Sequence, residues 1–290
     1  MPTIRAAANL PTNHAPTNHA PGFIEFDSAD QGDFLAGTAS AEQRMGFATD
    51  VGASSPLTLV LYLTEPGDSS AISVNDIHQG QIGDCFLLAA FGEMALYHPA
   101  AISNMIHFNP DGTESVTLFT DTLGRLPGFG TSAFKPTTQT VSNIFPTRSV
   151  NNGATQDVVA GKKEIWAQVI EKAYAQENGG YAGIQGGGSP YLALEQLTGH
   201  AASWRIPANL SLNELVSYAA AGDLIVMDTK SAGGLPFNLV GNHAYMFEGI
   251  KTVGGAAYVQ LGNPWGCCQP GLIPFAQLSR GICEIDIGRV

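Results

Sequence analysis

Three side chains in this 290-residue chain have the types, and the order, that nucleophilic catalysis uses: a thiol at Cys85, an imidazole at His243 and a carboxamide at Asn263. Cys85 stands between a glycine-bearing turn, Gln79-Gly-Gln-Ile-Gly83-Asp84, and an apolar run of helix formers, Phe86-Leu-Leu-Ala-Ala90. That order predicts a turn, then the cysteine, then a buried helix. A thiol at a helix N-terminus faces unpaired N–H groups and the positive end of the helix dipole, and both favour the nucleophilic thiolate. Gln79, six residues upstream, is placed to donate its amide beside the backbone N–H of Cys85, and two converging donors make an oxyanion hole. His243 heads a strand-like segment that runs to Phe247, and Asn263 ends another before a rigid Pro264-Trp265-Gly266 turn. The imidazole would act as base, with the carboxamide fixing its tautomer and orientation.

Each residue has a plainer reading. A cysteine is more often a small buried hydrophobe than a nucleophile, and Asn263 could merely cap the turn before Pro264. The spacing to Gln79, the helix start and the downstream His and Asn together outweigh that reading for Cys85. Of the seven histidines, His200 follows a Thr-Gly turn and His98 precedes Pro99, which mark them as surface or packing residues. Gly186-Gly187-Gly188 is glycine-dense, but no Lys-Ser or Lys-Thr follows it, so a phosphate loop is excluded. Asp84 would oppose a thiolate if aimed at it and is read as structural.

Cys, His and Asn in that order is the papain-type arrangement, and four blocks resemble one family within that group, the calpain-like cysteine proteases. They are Gln79 to Ala90, Asn242 to Tyr245, Asn263 to Gly266, and a stretch from Trp166 through Ala173-Tyr174-Ala175 and Gly187-Gly188 to Leu197-Thr198-Gly199. The resemblance spans residues 72–290 and is that of a compact, bacterial-type member with the protease core alone. It implies an α+β, papain-like two-lobed fold, a helical lobe followed by an antiparallel β lobe, with a cleft between them. It further implies that Trp265 shields the Asn263–His243 bond from water, and that Gly187, Gly188 and Asn242 line the substrate cleft. Three departures stand out: Phe86 replaces the usual tryptophan, Gly262 stands where an arginine often precedes the asparagine, and Cys267-Cys268-Gln269-Pro270 follows the Asn-Pro-Trp-Gly block. No EF-hand signature is present, and the loops that bind calcium in the family's core do not align here. Calcium is therefore unassigned, and the chemistry requires no cofactor.

The elements that must position these residues are legible from periodicity. The central helix is predicted from Cys85 to about Leu96, stopping before Pro99. Asp111-Gly112 separates two alternating apolar segments, a hairpin signal. Residues 121–160 read as loops with short strands. Residues 164–177 repeat Ile165, Trp166, Val169, Ile170, Ala173 and Tyr174 at helical spacing, ending at Gly179-Gly180. Ser189-Pro190 caps a short helix to Leu197, and Ser211-Leu-Asn-Glu214 is a capping box. From there the period changes to two: residues 223–229, 243–252, 256–261 and 282–287 are strand-like, with Gly254-Gly255 as a hairpin turn. The organisation is thus an N-terminal extension over residues 1–70 (leader, propeptide or adaptor, partly disordered), a helical lobe over 71–210 and a β-rich lobe over 211–290.

Composition narrows the function. Hydrophobic residues make up 44% and charged residues 13%, enough apolar content for a substantial core. The formal charge of −12 excludes a nucleic-acid binder, which needs a basic face. No apolar run approaches the ~20 residues of a membrane helix, and the first ten residues lack a signal-peptide core. The expected location is therefore the cytoplasm, or outside the cell by export without a cleaved leader. Four cysteines, Cys85, Cys267, Cys268 and Cys283, read as reduced thiols, with a bridge from Cys283 to the 267/268 pair the minority alternative. Pro11-Thr-Asn-His-Ala15 repeats as residues 16–20, too short for a solenoid. The reading is a cysteine endopeptidase acting on protein or peptide substrates, oligomeric state undetermined. Its rivals are a glutamine deamidase or transglutaminase-like effector with the same triad, and an inactive binding module.

Overall fold

The computed structural model describes residues 58–122, 133–151 and 158–290. The five-residue repeat and the extension up to residue 57 lie outside the described residues. The apolar run after the nucleophile forms helix α1 (Cys85–Tyr97), which begins at the cysteine as the sequence predicts. It is apolar almost all round, and Phe86 through Ala95 are all buried. His98 and Pro99 break it, and α2 (Pro99–Met105) leaves at 115°. No single helix among the described residues is long and apolar enough to cross a membrane.

Strand β1 (Thr58–Val60) opens the described chain. After α2 come β2 (Ile106–Phe108), β3 (Glu114–Asp121) and β4 (Phe134–Val141), an antiparallel three-stranded sheet. The β2–β3 hairpin is the one signalled by Asp111-Gly112. β4 is a full eight-residue partner of β3, longer than the short strands expected in this region. β5 (Val158–Val159) and β6 (Lys162–Glu164) join β1 in a second small sheet. Pairing with β1 takes residues 162–164 into a strand, so the predicted helix starts two residues late, as α3 (Trp166–Glu177). α4 (Tyr181–Ile184) takes up part of the predicted glycine loop, and α5 (Pro190–Thr198) follows.

The rest is mainly sheet. β7 (Ser203–Arg205) precedes α6 (Leu212–Ala221), whose Ser211–Glu214 capping box is formed in both directions. β8 (Leu224–Thr229), β9 (Ala244–Val253), β10 (Ala256–Gly262), β11 (Ile273–Pro274) and β12 (Ile282–Gly288) then build an antiparallel six-stranded sheet with β7, in the order β11-β10-β9-β8-β12-β7. The β3 sheet shows that the first half is not purely helical. The fold is α+β, as expected.

Alternation along β8 splits its side chains between two cores. Leu224 and Val226 pack with α1, α3 and α5, while Ile225 and Met227 pack with Tyr245, Phe247, Leu261 and Ile285 on the other face. The helix carrying the cysteine thus lies directly on the strands beside the histidine. Glu93, fully buried on α1, fixes that contact: its carboxylate accepts from the backbone N–H of Ile225 (2.9 Å) and of Phe247 (2.6 Å). Gly92 has the same purpose, because a Cβ there would meet Met246 Sδ at 2.2 Å.

Candidate active site

Cys85 is the first residue of α1 and half-buried. Its thiol faces the backbone of Ala244, the residue after His243. Burial pushes the thiol up to about 11; the Ala244 backbone pulls the other way, and the charges of Asp84 and Asp228 add to the rise. Burial also pushes the His243 imidazole down to about 4, against its hydrogen bond to Asn263. Both shifts favour the uncharged forms of the thiol and the imidazole at rest. This differs from the thiolate expected of a helix N-terminus, because desolvation outweighs the dipole at a site this enclosed.

His243 is held from two sides. Its backbone N–H donates to Thr229 Oγ1 (2.9 Å), and its carbonyl accepts from Thr229 N–H (2.9 Å). Its Nε2 lies 2.8 Å from Asn263 Oδ1. Asn263 can be oriented unambiguously: the backbone N–H of Trp265 donates to the same Oδ1 (3.1 Å), while Nδ2 donates to the Cys268 carbonyl (3.3 Å). An oxygen that accepts from Trp265 must also accept from the ring, so Nε2 carries the proton and Nδ1 keeps its lone pair. The Trp265 ring lies 4.9 Å from the imidazole and Tyr245 stands edge-on to it at 4.8 Å, so the Asn263–His243 bond is walled in by aromatics. Asn263 N–H donates to Gln269 Oε1 (2.7 Å). The unusual Cys267-Cys268-Gln269 segment thus orients the asparagine. Gly262 lies against Glu248, whose Oε1 a Cβ there would meet at 2.5 Å, so a larger residue would have to displace that carboxylate.

Gln79 lies in the same place but is engaged. Its N–H donates to the Pro264 carbonyl (2.9 Å), which ties the turn before the cysteine to the turn after the asparagine. Its side-chain amide donates to the Ile82 carbonyl (2.8 Å) and to Asp84 Oδ1 (3.3 Å), and its Oε1 is buried without a hydrogen bond. Asp84 accordingly faces the Gln79 amide as well as nearby backbone. Behind it lies Glu171 of α3, also fully buried. Burial raises both carboxyls, Asp84 to about 7 and Glu171 well above the ordinary range. Glu171 is a buried partner of Asp84 that no motif singles out. The signal available was a carboxylate on the apolar side of α3, one residue from Ile170 and three from Tyr174.

Gly186 pairs with Gly83 in an isolated parallel bridge, which sets the glycine loop beside the turn that carries Cys85. Gly187 and Gly188 are exposed there, and a Cβ on Gly188 would run into the Phe86 ring at 2.6 Å. Asn242 is exposed next to the buried His243, at φ 52°. All four cysteines are free.

Two carboxylate clusters bring ligand atoms within 4.8 Å of one another: Glu65 with Asp76 and Glu164, and Asp228 with Glu284 and Asp286. Either could face a hard cation, and neither was read from the sequence. In β12 the signal was Glu284 and Asp286 two residues apart, hence on one sheet face.

A family model described as calpain family cysteine protease matches residues 68–269. Among curated proteins, the chain is 28% identical over 209 residues to the calpain-1 catalytic subunit of Mus musculus, covering 66% of this chain and 27% of that protein. It is 29% identical over 220 residues to calpain-9 of Homo sapiens (66% and 28%) and 30% identical over 214 residues to a calpain of Schistosoma mansoni (66% and 26%). The match thus spans about a quarter of the length of these relatives.

Proposed function

The chain belongs to the calpain family of cysteine proteases, and we propose that it is a cysteine endopeptidase that hydrolyses peptide bonds of protein substrates through Cys85, His243 and Asn263. The observation that carries this reading is the bond from His243 Nε2 to Asn263 Oδ1, which leaves Nδ1 as the only basic nitrogen of the ring. In the first step His243 Nδ1 takes the Cys85 proton as the sulfur adds to the substrate carbonyl. Generating the ion pair during attack avoids holding two buried charges at rest. The oxyanion is met by the backbone N–H of Cys85, the first residue of α1. Gln79 adds its amide once the hold of Ile82 or Asp84 is released. The imidazolium then protonates the leaving amine, giving a thioester that water hydrolyses with His243 again as base. No cofactor enters these covalent steps. A papain-like arrangement of these elements would set the exposed Gly187, Gly188 and Asn242 along the substrate.

The test is mass spectrometry of an unfolded protein substrate, such as reduced casein, after incubation with the wild type and with Cys85→Ala. Wild type is expected to yield peptides, and Cys85→Ala none while keeping the wild-type circular dichroism spectrum. A gain of about one dalton without cleavage would identify a deamidase, and an unchanged substrate a binding module.

A further inference from the structure

A second group of residues lies against the nucleophile and is not used by the hydrolytic steps. Asp228, the penultimate residue of β8, pairs with Ala244, whose backbone faces the Cys85 thiol. Its charge reaches the sulfur. On the neighbouring strand β12, Glu284 pairs with Asp228 and Asp286 with Val226. By strand alternation all three side chains stand on the sheet face that receives α1, while Ile285 and Ile287 point into the opposite core. Their carboxylate oxygens converge within 4.8 Å. Asp286 is 0% exposed, and no group outside the trio donates to either of its oxygens, which meet only the carboxyls of Asp228 and Glu284. Asp228 and Glu284 are half-buried and open the group to the outside. Among the described residues no Lys or Arg pairs with any of the three.

Burying unpaired carboxyls is costly, and a fold keeps them where something else completes them. We propose that Asp228, Glu284 and Asp286 form an acidic subsite beside Cys85 that takes the side chain of a lysine or arginine of the peptide substrate. The inference rests on the proteolytic reading and names a substrate class for it. The position decides between occupants. The acids share a sheet face with the start of α1, so a chain lying across Cys85 can lower a long basic side chain past Asp228 and Glu284 toward Asp286. Its three to five N–H donors match the half-filled acceptors. A divalent ion of the calcium type would have to add waters or backbone carbonyls to reach six to eight oxygens, whereas an ammonium or guanidinium needs only the acceptors present. Burial and the two neighbouring acids push Asp286 up to about 9, so an approaching cation also removes repulsion already present.

The test compares two matched decapeptide pools. One carries Lys or Arg at a single position walked along the peptide, and the other carries norleucine or citrulline there. Cleavage is measured with the wild type, and equilibrium binding with Cys85→Ala. At one position the basic pool is expected to be favoured by about 10–100-fold in both measurements. Asp286→Asn should shrink that ratio severalfold, and Glu284→Gln does the same should the buried variant fail to fold. If Cys85→Ala prefers the basic pool while the wild type cleaves neither, the subsite stands and the proteolytic reading falls. If the wild type cleaves both pools equally, the subsite is overturned and the protease stands. Equal binding of the pools, with terbium luminescence that Asp286→Asn abolishes, would assign the acids to a metal ion and also overturn the proposal.

Discussion

Asn263 is the residue on which the orientation of the base depends. Its side chain and N–H satisfy four hydrogen bonds at once: Oδ1 to the His243 ring and the Trp265 N–H, Nδ2 to the Cys268 carbonyl, and N–H to Gln269. Asn263→Ala keeps only the last. The ring then loses both its tautomer preference and its anchor, while burial still holds it neutral. Activity is expected to fall about 10–100-fold, the range seen when an outer partner of a functional histidine is removed. Asn263→Asp supplies the diagnostic comparison. A carboxylate still accepts from Nε2, so the pH–rate profile should shift upward for this variant, whereas a purely structural role for the residue would leave the profile unmoved.

At the scale of elements, the question is how a cysteine on a helix and a histidine on a strand are kept in register. Glu93 does this by accepting two N–H groups that the β8–β9 ladder leaves over, since that ladder runs only from Val226–Met246 to Asp228–Ala244. Tyr97 adds a bond from its hydroxyl to the Phe247 carbonyl (3.0 Å), one turn further along α1. Glu93→Gln places an amide N–H₂ against one of the strand N–H groups and leaves a buried donor unpaired. A loss of about 1–3 kcal/mol in urea unfolding is expected, with activity reduced through the displacement of α1. Ser211→Ala, which removes a formed capping box far from the site, provides the contrast: about 1 kcal/mol of stability and unchanged kcat/KM.

Over the whole molecule, burial has been applied to an unusual number of ionisable groups. Asp76, Asp84 and Asp228 are pushed up to about 7, Asp286 to about 9 and Glu164 to about 10, in each case chiefly by desolvation. Each holds a proton in the folded state at a pH where the unfolded chain has already released it. Their stabilising contribution is full below about pH 4 and is lost as pH rises through the folded values. His243 acts with the opposite sign: its folded value near 4 lies below the unfolded 6.5, so it costs stability only as pH falls through that window. Above pH 6.5 the carboxyls act alone. The melting temperature is therefore expected to fall steadily from pH 6.5 to 9, as read by differential scanning calorimetry at constant ionic strength. A flat or rising profile would show that these carboxyls are paired with cations in solution.

The sequence by itself determined the local structure and the types and order of the three side chains on which the proposed reaction rests. The start of α1 at Cys85, the Ser211 capping box and the strands from residue 223 onward follow from apolar periodicity and from polar residues at fixed short offsets. Such signals act over four or fewer residues and survive in a one-dimensional string. The order of Cys85, His243 and Asn263 was legible because their neighbours form recognisable blocks. The strand at residues 162–164 was not legible, since its full length is paired by β1, about a hundred residues earlier. Nor was the protonation of the site. The helix terminus argues for a thiolate, but desolvation by residues brought from β8 and β9 reverses it, and no spacing in the chain encodes dielectric surroundings. The meeting of Asp228 with Glu284 and Asp286, and of Asp84 with Glu171, likewise belongs to tertiary structure alone: charge at short range depends on distance in space, which sheet order sets and sequence separation does not.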